Sequence, residues 1–151
     1  MESQRGKTDV IRQHCIGDIL RRTANRVPDK TAIICGEVRW TYAQFDDVCN
    51  RVAQSLIDHG IVQGDRVAIL SENRPEWATA DFATLAIGAC VVPIYATLTA
   101  EQCLYVLQHS GAKVVFCSTP TQVEKIEAIR RQSLVEQIVL MEGQRPVGVH
   151  S

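Results

Sequence analysis

Two short apolar runs, residues 67–70 (VAIL) and 90–95 (CVVPIY), flank an alanine-rich run, and this stretch constrains the fold more than any other. Neither run alternates polar with apolar residues. Strands buried on both faces, as in parallel sheets covered by helices, have that pattern. Between them, Ala78, Phe82, Leu85, Ala86 and Ala89 recur at helical spacing, with Gly88 near the end. Asn73 is a residue of the capping type, and Pro75 suits the first helical turn, where its missing N–H costs nothing. Strand, helix, strand predicts a βαβ unit, a crossover that is right-handed in nearly every case.

The rest of the chain extends the pattern. Ile16, Ile19, Leu20 and Val27 give one apolar stripe to a helix expected over 18–26, which Pro28 ends. Residues 31–35 and 38–40, joined by Gly36-Glu37, predict a β-hairpin. Thr41 with Gln44 has the form of a capping box. It opens a helix whose apolar face is Phe45, Val48, Cys49, Val52, Leu56 and Ile57, and Gly60 follows its last turn. Thr99 with Gln102 repeats the box ahead of Cys103, Leu104 and Leu107. Thr119 with Gln122, and Pro120 at the first helical position, open a helix carrying Val123, Ile126 and Ile129. Residues 113–117 and 137–141 read as further strands.

The order from residue 66 is therefore βαβαβαβ. The predicted class is α/β: a layered sheet of mainly parallel strands with helices on both faces, preceded by a β-hairpin. Residues 16–141 are expected to form the folded unit, with a flexible tail over 1–15 and a tail over 142–151.

Composition narrows the function classes. Sixteen basic and 17 acidic residues leave a net charge of -1, so there is no electrostatic footprint for nucleic acid. No apolar run approaches the ~20 residues of a membrane span. The opening MESQRGKTDVIRQHC lacks the apolar region of a secretory signal, which makes the cytoplasm the expectation. Six cysteines (Cys15, Cys35, Cys49, Cys90, Cys103 and Cys117) form no CxxC pair and no Cys/His cluster with zinc spacing. They read as small reduced core residues.

No turn after a strand carries phosphate chemistry. Ser71-Glu72-Asn73-Arg74-Pro75 has no glycine, Glu72 repels a phosphate, and Pro75 removes a donor. The turns at 96–99 and 118–120 also lack glycine. His59 and His109 each precede the end of a helix, where they complement the dipole; His14 and His150 lie in the tails. Asp46 and Asp47 are adjacent and diverge on a helix. Trp40 and Trp77 read as packing anchors. No catalytic, cofactor-binding or metal-binding residue is assigned.

A resemblance supplies what the residues alone do not. Trp40-Thr41-Tyr42-Ala43-Gln44-Phe45 resembles the first core motif of the AMP-binding, adenylate-forming superfamily. Gly64-Asp65-Arg66-Val67-Ala68-Ile69 is similar to its GDRVAI segment. Leu85-Ala86-Ile87-Gly88-Ala89 with Val92-Pro93-Ile94-Tyr95 resembles its second core motif. The segments 71–77 and 93–99 are closer to the long-chain fatty acid–CoA ligase branch than to peptide-synthetase adenylation domains.

The resemblance runs from about Ile16 to Met141 and implies the N-terminal part of an acyl-CoA synthetase. In that family ATP, magnesium and coenzyme A serve fatty acid activation through an acyl-adenylate, and peripheral membrane association is an option beside the cytoplasm. The Ser/Thr/Gly-rich phosphate loop, the acidic residues for magnesium and ribose, and the lysine of the small C-terminal domain have no counterpart here. None of Lys7, Lys30, Lys113 and Lys125 matches these motifs. The chain is accordingly expected to be inactive alone. Its expected partners are the missing C-terminal part of such an enzyme or a second copy of itself. The alternative is a non-catalytic α/β interaction module, or one half of a split ligase that binds a complementary chain.

Overall fold

The computed structural model describes residues 16–141; both expected tails lie outside the described residues. The elements, in chain order, are α1 (Ile16–Arg26), β1 (Thr31–Cys35), β2 (Val38–Thr41), α2 (Tyr42–Asp58), β3 (Arg66–Leu70), α3 (Pro75–Ala86), β4 (Cys90–Ile94), α4 (Ala100–Ser110), β5 (Val114–Cys117), α5 (Pro120–Glu127), a 3-10 turn (Arg130–Gln132) and β6 (Gln137–Leu140).

Strands β3 to β6 form a four-stranded sheet in the order β4-β3-β5-β6, and every neighbouring pair is parallel. Alternation along the strands divides the core between the two faces. Ala68, Leu70, Val115 and Cys117 pack with Cys103, Leu107, Val123 and Ile126 of α4 and α5. Val67, Ile69, Val114 and Phe116 pack instead with Leu56 of α2 and Ala80 of α3. Helices thus cover both faces, as the sequence pattern predicts. Full burial of one such side chain, Leu107 for example, contributes roughly 1.5–3 kcal/mol.

The hairpin β1-β2 forms a separate antiparallel sheet. A two-stranded hairpin is marginal by itself; here Ile33 and Trp40 pack on a third cluster built from Leu20, Phe45 and Cys49. Trp40 stacks on Phe45 with ring centroids 6.4 Å apart, and Phe45 meets Phe82 edge-on at 5.6 Å. Those two contacts tie α2 and α3 to the hairpin.

Local chemistry sets several boundaries as expected. Thr41 accepts from Gln44 N while Gln44 Oε1 accepts from Thr41 N at 2.9 Å, closing the first capping box; Thr99 and Gln102 close the second in the same way. After α2, Ile61 N donates to Leu56 O and Gly60 N to Ile57 O, with Gly60 at φ +82°. This is a Schellman ending, and its hydrophobic contact is supplied by buried Ile61 and Leu56.

Other expectations require correction. The N-cap of α3 is Arg74, with no side-chain cap bond, rather than Asn73, because Pro75 takes the first helical position. The buried face of α3 is Thr79, Ala80, Ala83 and Thr84; Ala86 is exposed, and Ala78 and Phe82 turn to the hairpin cluster. β4 is an edge strand, so its run is not buried on both faces, and Tyr95 lies beyond it, 80% exposed. Ile16, Ile19 and Ile57 are also exposed. Ile129 falls after the end of α5 but stays buried.

Candidate functional site

The chain reverses direction across β3. From β3 it steps through α3 to β4 on one side, then through α4 to β5 on the other. In open α/β sheets the crevice outside the carboxyl ends of the strands, at such a reversal, is where ligands bind. Here that crevice is formed by the turns after Leu70, Ile94 and Cys117.

Each turn is held by specific bonds. Ser118 N donates to Leu70 O at 3.1 Å, and Ser71 Oγ donates to Glu72 O at 2.8 Å. Arg74 Nε donates to Glu76 Oε2 at 2.7 Å and its Nη1 reaches Ser118 O at 3.4 Å. Lys125, on α5, crosses the crevice to donate to Ala96 O (3.2 Å) and Leu98 O (2.7 Å). Gln122 Nε2 donates to the same Ala96 O at 3.0 Å. Two side chains of α5 therefore bind the turn after β4, reaching past the end of the intervening β3.

The electrostatics of this end are balanced. Glu72's own backbone N–H holds its carboxyl below the ordinary range, and Arg74 and Lys125 add to the effect. Burial opposes ionisation of Glu76, yet the Arg74 guanidinium keeps its carboxyl low as well. Two carboxylates lie beside two cations that are already engaged within the chain.

The opposite, amino end of the sheet is closed on itself. Lys113 Nζ lies 2.8 Å from Asp65 Oδ1, and Val62 N donates to Asp65 Oδ2 at 3.0 Å; these two contacts lower the Asp65 carboxyl. Arg66 donates to Ser110 O (2.7 Å) and Gly111 O (3.0 Å), the carbonyls that end α4. The Gly64-Asp65-Arg66 segment is thus a fastener between β3, β5 and α4.

The other singled-out residues have structural roles. His59 is the C-cap of α2, its Nδ1 2.7 Å from Ser55 O, and His109 stacks on Tyr105. Asp47 pairs with Arg51 and Asp46 accepts from Asn50, both one helical turn on. Trp40 and Trp77 are half-buried packing residues. Cys49, Cys103 and Cys117 are buried, and burial pushes the Cys49 and Cys117 thiols up to about 12. Cys35 and Cys90 are exposed, so the core reading fails for them; Cys15 lies outside the described residues. Among the described residues no group of three His, Cys, Asp or Glu side chains could hold a metal ion. No described helix is long and apolar enough to cross a membrane.

Comparison with known proteins gives this scaffold a family context. The family model described as AMP-binding enzyme matches residues 20–148. The chain is 38% identical over 120 residues to the long-chain-fatty-acid–CoA ligase FadD13 of Mycobacterium tuberculosis, covering 78% of this chain and 24% of that protein. It is 43% identical over 90 residues to FadD15 of the same organism, also a long-chain-fatty-acid–CoA ligase, covering 58% of this chain and 15% of that one. The crystal structure of the N-terminal domain of FACL13 from M. tuberculosis superimposes with a TM-score of 0.78 at 32% identity, over 89% of this chain and 38% of that chain. The chain thus spans about a quarter or less of the length of the curated relatives it matches.

Proposed function

The chain belongs to the AMP-binding enzyme family, and from that premise we propose that it is the N-terminal portion of a long-chain fatty acid–CoA ligase. In the intact parent a fatty carboxylate attacks the α-phosphate of ATP, with magnesium present, and pyrophosphate leaves. The coenzyme A thiol then displaces AMP from the acyl-adenylate. This segment supplies scaffold: capped helices, a parallel sheet and its fastenings. The observation that carries the reading is the family match over residues 20–148 together with long-chain ligases among the relatives.

Alone, the segment is inactive. None of its strand-to-helix turns contains a glycine-rich phosphate cradle, and the carboxyl end of the sheet presents carboxylates beside cations that are already bound. The buried thiols Cys49, Cys103 and Cys117 suit a reducing compartment, which supports a cytoplasmic setting.

Two measurements test the proposal. The purified chain with ATP, magnesium, coenzyme A and palmitate should release no AMP; clear turnover would refute its inactivity. A chimera in which this chain replaces the matching segment of FadD13 should be soluble and should form palmitoyl-CoA. Failure of the chimera to fold or turn over would refute the ligase-segment reading.

A further inference from the structure

We draw no further inference here: the strongest candidate, the surface patch that Ile16 and Ile19 form one turn apart on α1, is exposed and apolar, and nothing in the structure shows what covers it.

Discussion

Arg66 and Gly111 should be energetically coupled, and the size of the coupling follows from one contact. Arg66 is half-buried and donates through Nε to Ser110 O and through Nη2 to Gly111 O. Those carbonyls end α4, where a cation also favours the helix dipole. A hydrogen bond involving a charged group contributes ~1.5–3 kcal/mol when well buried. With partial exposure the two together are placed at about 2–3 kcal/mol, which Arg66→Met removes. Gly111 is the left-handed cap of α4, with φ +64°. An L side chain there costs roughly 1–2 kcal/mol for the backbone alone. Its Cβ would also stand 2.7 Å from Arg66 Nη2, so the guanidinium must move and the bond to Gly111 O is lost, adding about 1 kcal/mol.

Gly111→Ala should therefore cost about 1 kcal/mol less in the Arg66→Met background than in the parent chain, where both penalties apply. Urea unfolding of the four proteins measures this directly, and each kcal/mol corresponds to about 2–4 °C in Tm for a chain of this size. Additivity within ~0.3 kcal/mol would refute the reasoning, because it would mean that the Arg66 fork does not hold the end of α4. Arg66→Lys should fall between parent and Met, since an ammonium keeps the charge but not the two-pronged geometry.

Other perturbations have equally definite signs. Gly17→Ala should lower Tm despite alanine's better helix propensity, because the new Cβ meets the backbone carbonyl of Leu85 where α1 crosses α3; overpacking there costs about 1–3 kcal/mol. Thr84→Val should leave stability unchanged or raise it by about 1 kcal/mol in the same urea assay, since the buried Thr84 hydroxyl has no partner and valine has the same shape. Alkylation at pH 8 followed by mass spectrometry should label Cys35 and Cys90 in the native state and spare Cys49 and Cys117 until unfolding. The same thiols impose a pH dependence. Their folded pKa of about 12 exceeds the ordinary 9.0, so above pH 9 the unfolded state binds fewer protons than the native state. Stability should then fall as pH rises between 9 and about 12, because the native state holds protons that the unfolded thiols release.

The parallel core was legible because β3 and β5 are apolar on both faces, a pattern that few other environments produce. β4 was misread for an instructive reason: its run is as apolar as theirs, but it stands at the sheet edge. Pro93 was the available signal, since proline cannot donate to a ladder and is confined to edges and strand ends. The cap of α3 was misplaced by one residue, although Pro75 at the first helical position already points to residue 74. Gly17 could not be read at all, because its role is a close approach between two helices far apart in sequence.

Gln122 is the most informative case. As a sequence it repeats Gln44 and Gln102, three residues after a threonine, and those two return their side chains to close a capping box. At Gln122 only half of the box forms: its N–H donates to Thr119 Oγ1, while its side chain leaves for Ala96 across the crevice. Local pattern therefore located the residue and its helix but not its function. What the side chain does is set by the turn after β4, 26 positions away, and tertiary placement of that kind overrides the local preference that three similar motifs share.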